Sequence, residues 1–167
     1  GLRPGLKPTG SNGPHIVVPL DGAAGYDQVW PFAHGVGAVL VKRDPSHLTQ
    51  EFIKEDRAGR ILVDTGRNGY SATFAAAYAV RPKPGAPVSA PCTWAELEEG
   101  SIGARTLTLR TMADRLARVG DVWAELHAHG QSLAAPLERL RGMLTESDWS
   151  QSRAAATRKP RARKRPS

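Results

Sequence analysis

Apolar positions follow a helical period in one long early stretch of this chain, and elsewhere they bunch into short runs broken by Gly and Pro. From Tyr26 to Arg43, the residues Val29, Phe32, Ala33, Val36, Val39 and Leu40 recur at helical spacing. They predict a helix with Pro31 in its first turn and Asp44-Pro45 as its stop. Residues 1–14 read as extended or looped, and His15 to Leu20 as a strand that Pro19 places at an edge or an end. Ser46 predicts the cap of a second helix through about Glu55, with Leu48 and Phe52 four apart. Arg60-Ile-Leu-Val-Asp64 predicts a strand. Residues 72–80 read as mostly extended, although Ala75-Ala-Ala77 also suits a helix.

The second half of the chain is punctuated more heavily. Four prolines between Arg81 and Pro91 exclude regular structure there on sequence grounds. Thr93-Trp-Ala-Glu96 is a capping-box pattern that opens a short helix. Leu107 to Leu109 suggests a strand, with Thr111 capping a helix to about Val119. Helical patterns follow from Val122 to Gly130 and from Ser132 to about Leu144, the latter carrying Leu133, Leu137, Leu140 and Leu144. Past Trp149 the apolar period disappears, so residues 150–167 read as a disordered basic tail behind one domain over 1–149. Short helices and strands interspersed in this way predict an α+β fold.

Charge changes the picture only at the end of the chain. The formal net charge is +7, yet residues 151–167 hold Arg153, Arg158, Lys159, Arg161, Arg163, Lys164 and Arg165 with no acid. Without those seven, 16 basic residues face 16 acidic ones, so the basicity belongs to the tail and not to the body. Such a tail binds nucleic acid electrostatically, or it only solubilises. One cysteine, Cys92, excludes a disulfide framework and fits a reducing compartment. No apolar run is long enough to span a membrane. Gly1-Leu-Arg-Pro lacks an initiating Met and reads as the cut edge of something longer.

Candidate chemistry gathers at two places. Asp64 ends an apolar strand and opens into Thr65-Gly66-Arg67-Asn68-Gly69, an arrangement that fixes a carboxylate while letting phosphate approach. Arg57, Arg60, Arg67 and Arg81 bracket it. They make either a triphosphate clamp or a solvated rim paired with Glu51, Glu55 and Asp56, and spacing alone favours the rim. The second place is Thr9-Gly10-Ser11-Asn12-Gly13, a turn offering backbone N–H groups and two hydroxyls to an anion, with His15 directly after. It lacks the Gly-Lys-Ser/Thr ending of a P-loop. His127-x-His129 has no spaced partner for a metal, Cys92 has no nearby histidine, and the four tryptophans are too scattered for a stacking platform.

Read together, these blocks resemble the polymerase domain of the bacterial end-joining ligase D, in the archaeo-eukaryotic primase superfamily. The similarity covers roughly residues 5–126: Lys7 through Leu20, Arg43-Asp-Pro45, Arg57 through Gly69, Tyr78 through Val88, Pro91 through Leu97, and Arg115 through Asp121. The resemblance implies the C-terminal half of such a domain, with an RRM-like antiparallel sheet and flanking helices. It implies template-directed nucleotidyl transfer at DNA ends in non-homologous end joining, with a divalent metal (Mn or Mg) and nucleoside triphosphates. Gly13-Pro14-His15 matches the family's small-x-His motif; Thr9, Ser11 and Asn12 fall in its phosphate turn, Asn12 replacing the usual lysine. Arg67 and Arg81 match nucleotide-binding positions, and Asp64 matches the third metal-binding aspartate. Arg57 matches a family arginine near the site and falls to DNA; the tail cations Arg158, Lys159, Arg161, Arg163, Lys164 and Arg165 lie outside the similarity and fall to DNA by their charge alone. The family's first two metal ligands form an Asp-x-Asp pair that is absent here. Implied partners are a Ku-type end-binding protein and a ligase module, in the cytoplasm at the nucleoid. The alternative is a non-catalytic half-domain that holds DNA ends or a repair partner.

Overall fold

The Gly/Pro-rich start of the chain folds as a hairpin in the computed structural model, which describes residues 1–157. Strand β1 (Gly5–Pro8) pairs antiparallel with β2 (Pro14–Val17), which places Lys7 opposite His15. β1 was not anticipated, because it has no alternation: all four of its residues are buried, whereas β2 alternates. Its other edge is also covered, since Leu6 bridges Cys92 and accepts the Cys92 N–H at 2.9 Å.

Helix α1 (Tyr26–Arg43) matches the sequence expectation at both ends, with Asp44 as its C-cap. Pro31 lies in the second turn, not the first, so the helix carries a proline where an N–H would otherwise bond the preceding turn. The expected second helix is absent. Leu48–Thr49 is instead strand β3, paired in parallel with β4 (Ile61–Leu62). The Asp44 carboxylate takes the His47 N–H and the Ser46 hydroxyl, an Asx-type turn that uses up the would-be helix cap. A 3-10 turn at Glu55–Arg57 precedes β4, and another at Gly66–Asn68 follows it.

β5 (Ala79–Val80) is all that is regular in residues 72–80, and it pairs antiparallel with β6 (Val88–Ser89) inside the proline-rich segment. That segment is therefore not wholly irregular: its prolines flank the pairing residues and leave their N–H groups free to bond. α2 (Trp94–Glu98) begins at the expected capping box, with Thr93 and Glu96 reciprocating. Leu107–Leu109 is no strand; Thr108 bridges Pro87 and is itself the cap of α3 (Leu109–Val119), with Thr111 accepting its N–H at 3.1 Å. α4 (Ala124–Ala128) and α5 (Ala134–Arg141) follow the predicted helical patterns.

α6 (Glu146–Thr157) overturns part of the disordered tail, because residues 150–157 are helical. Thr145 and Asp148 cap it reciprocally, and Ser152 is fully buried on it. The tail cations from Arg158 onward lie outside the described residues.

The chain divides into two compact units interleaved in sequence. The first joins Gly1–Gly22 to Thr73–Ser132; its core is Leu6, Val88, Ala90, Cys92, Ile102, Leu107 and Met112, with Tyr78 and Leu97 packed against it. The second joins Ala23–Ala72 to the chain from Leu133 onward, with α1 packed on α5 and α6. Gly35 brings α1 so near α5 that an added Cβ would sit 3.1 Å from Leu140. The architecture is α+β, as expected, but the described strands form three two-stranded sheets in place of one antiparallel sheet. Among the described residues no helix is long and apolar enough to cross a membrane.

Candidate functional site

The Gly-rich turn joins β1 to β2 and closes on itself. Thr9 N–H reaches Gly13 O at 3.3 Å, its hydroxyl donates to Gly13 O at 3.0 Å, and it accepts the Ser11 N–H at 3.2 Å. Thr9 is thus the lock of the turn. Gly10 and Gly13 have φ of +66° and +65°, which only glycine adopts without strain. A Cβ on Gly10 would lie 2.6 Å from Arg81 Cγ, so the arginine stem runs directly over the turn. The Arg81 backbone is held by its N–H to Pro87 O at 2.8 Å, at the end of β5. Its Nε is buried and has no hydrogen-bond partner. An unspent guanidinium N–H over a glycine turn is what an anionic oxygen would satisfy.

Lys7 was not singled out by sequence reasoning, and it sits at the centre of this arrangement. It has no solvent exposure, and its ammonium donates to Ala75 O and Ser89 Oγ at 2.7 Å and reaches His15 Nδ1 at 3.0 Å. The Phe74 ring lies 5.5 Å from Lys7 Nζ and meets the His15 ring edge-on at 5.7 Å. Burial, and then the neighbouring Arg81 charge, pull the lysine down to about 8. The only sequence signal was its place in the hairpin, opposite His15, and that became visible only once β1 was known to be a strand.

Asp64 stands just beyond β4, exposed, in the second unit. Its Oδ1 accepts the Gly66 N–H at 2.9 Å, and Asn68 Nδ2 donates to Thr65 O at 2.9 Å, which shapes the turn that carries Arg67. Asp64, Arg67, Trp30, His34, Gln50 and Phe52 are among the residues lining a cleft of about 450 Å³. His34 is a second residue missed from sequence. Ser152 donates to Asp148 O at 3.0 Å, so its oxygen accepts the His34 Nδ1–H at 3.0 Å, and burial lowers the histidine's pKa.

β4 pairs with β3, and β5 with β6. Thr9, Ser11, Asn12, His15 and Arg81 belong to the first unit; Arg57, Asp64 and Arg67 belong to the second. The Arg57 guanidinium donates to Glu51 O at 3.0 Å and to Phe52 O at 2.6 Å, bracing the loop ahead of β4. Among the described residues no three His, Cys, Asp or Glu side chains are grouped to hold a metal. Asp64 alone makes no metal centre.

A glycine turn roofed by arginine lies in the first unit and a carboxylate at a strand end in the second, on an α+β frame. The first 123 residues match the family model described as LigD, primase-polymerase domain, and the chain belongs to that family. It is 35% identical over 144 residues to the multifunctional non-homologous end joining protein LigD of Pseudomonas aeruginosa, covering 85% of this chain and 17% of that one. Against the Mycobacterium tuberculosis non-homologous end joining DNA repair protein LigD the identity is 34% over 135 residues, 81% and 17% of the two chains. The solved polymerase domain of M. tuberculosis ligase D, in complex with DNA, superposes with a TM-score of 0.71 at 33% identity, over 78% of this chain and 45% of that one. The chain thus spans less than a fifth of the curated relatives and under half of the solved domain.

Proposed function

We propose that this chain is the C-terminal part of a primase-type polymerase domain that serves nucleotidyl transfer at DNA ends in end joining. The observation that carries the reading is the Arg81 stem over Gly10, with a buried, unspent Nε beside the Lys7–His15 pair. On this reading the Ser11 and Asn12 backbone, His15 and Arg81 receive the triphosphate, and Thr9 holds the turn in shape. Arg67 and Asp64 act at the cleft of the second unit, Asp64 contributing one carboxylate to a Mn or Mg ion. The other carboxylates come from polypeptide outside these 167 residues, because in-line transfer needs ligands on both ions. DNA ends are the substrate surface, a Ku-type protein and a ligase module the partners, and the cytoplasm at the nucleoid the place.

Two measurements test this. Titrating the chain with a nucleoside triphosphate should show binding that Arg81→Ala weakens by roughly tenfold or more, the worth of a charge-assisted hydrogen bond. Equal affinity in the variant would remove Arg81 from the site. With manganese and a primed DNA end, the chain alone should add no nucleotide. Joined to an Asp-x-Asp-bearing half-domain of the family it should extend the primer, and Asp64→Ala should abolish extension. Activity that survives that substitution would remove the metal-ligand role.

A further inference from the structure

The proton inventory around Lys7 is closed. An ammonium carries three N–H donors and no acceptor. Lys7 has three neighbours at hydrogen-bond distance: Ala75 O, Ser89 Oγ and His15 Nδ1. The Ser89 hydroxyl gives its own proton to Pro8 O at 3.1 Å, so its oxygen can only accept from the lysine. Ala75 O is a carbonyl and can only accept. One ammonium N–H remains, and it goes to His15 Nδ1. A ring nitrogen that accepts from an ammonium holds no proton, so the proton of this imidazole is on Nε2.

We propose that Lys7 is a positioning residue: its buried ammonium fixes His15 in the Nε2–H tautomer and so makes the histidine a hydrogen-bond donor from Nε2. The antiparallel register sets the pair opposite each other, and Phe74 packs against both rather than leaving the lysine to water. The donor suits a phosphate oxygen, which accepts only; that consequence rests on the phosphate reading given above. With Lys7 at about 8, the ammonium form prevails at neutral pH. A neutral amine in the same place would have two N–H groups, for Ala75 O and Ser89 Oγ, and a lone pair for an Nδ1–H. The opposite tautomer is therefore the outcome that overturns the assignment.

The test is a two-bond proton–nitrogen correlation spectrum of the 167-residue chain, labelled at histidine, at pH 7. His15 should show an unprotonated Nδ1 and a protonated Nε2, and Lys7→Met should return it to a mixture of tautomers. A wild-type Nδ1–H, or an unchanged tautomer in Lys7→Met, overturns the proposal. A double-mutant cycle with inorganic tripolyphosphate as the probe separates positioning from charge. Lys7→Met should weaken binding roughly tenfold in the wild-type background and less than about twofold in His15→Ala. An equal loss in both backgrounds would make Lys7 an independent anion contact, contrary to the proposal. If tripolyphosphate fails to bind at all while the Nε2–H tautomer is seen, the phosphate reading falls and the Lys7 assignment stands.

Discussion

Single side chains in this protein owe their chemistry to what the fold packs beside them. Glu96 and Arg115 show it most plainly. The guanidinium meets both carboxylate oxygens, at 2.7 and 2.9 Å, and also donates to Pro91 O at 3.2 Å, with only 5% of the arginine side chain exposed. The arginine, helped by the Thr93 N–H, pulls Glu96 from the ordinary 4.5 to about 2. A carboxylate lowered on folding stabilises fully above its unfolded value, and that stabilisation is lost as pH falls from about 4.5 through about 2. Glu96→Gln should cost about 3 kcal/mol at pH 7, because it leaves a buried guanidinium unpaired. Urea midpoints at pH 7 and pH 3 should show the gap between wild type and variant closing on acidification. A gap that stays constant would mean that the pair contributes nothing to acid sensitivity. Cys92 beside them is pushed up to about 11, first by burial and then by the Glu96 charge, which makes it an inert core thiol.

Elements divide into those that carry their own instructions and those that need a partner. α1 and α2 carry theirs: α1 has an apolar stripe and the Asp44-Pro45 stop, and α2 opens on the Thr93–Glu96 capping box. The strands do not. β3, β4, β5 and β6 are two residues long, and each exists because its partner lies opposite, so local pattern had little to show. α6 lies between these cases, since its cap Thr145-x-x-Asp148 is written in the sequence but its apolar stripe is not. Ser152 and Asp148 instead tie it to His34 and Lys42 of α1. Thr145→Ala should therefore remove about 1 kcal/mol of stability, the usual worth of an N-cap. Thermal unfolding followed by circular dichroism would read it. A melting temperature unchanged from wild type would show that packing on α1, without the cap, sustains the helix.

Across the whole molecule, charge is distributed unevenly and predictably. Of the 23 basic residues, six lie at Arg158 and beyond; the 17 that remain face 16 acidic ones, a net charge of +1. A chain ending at Thr157 should bind DNA less tightly, and its slope of log affinity against log salt should flatten by about 5 if all six cations engage phosphates. Fluorescence anisotropy across a salt series measures it, and an unchanged slope would place the phosphate contacts on the body. The sequence by itself determined the family, the α+β class, the long helix, the Thr93 cap, and the Asp64 and Gly10–Gly13 turns, because each is written in residues close together along the chain. Tertiary structure decided which strands pair, that α6 continues past Trp149, and that the site residues divide between two units. It also decided the burial of Lys7 against His15, which no spacing could show, because a lysine loses its water only when residues 68 and 82 positions away close over it.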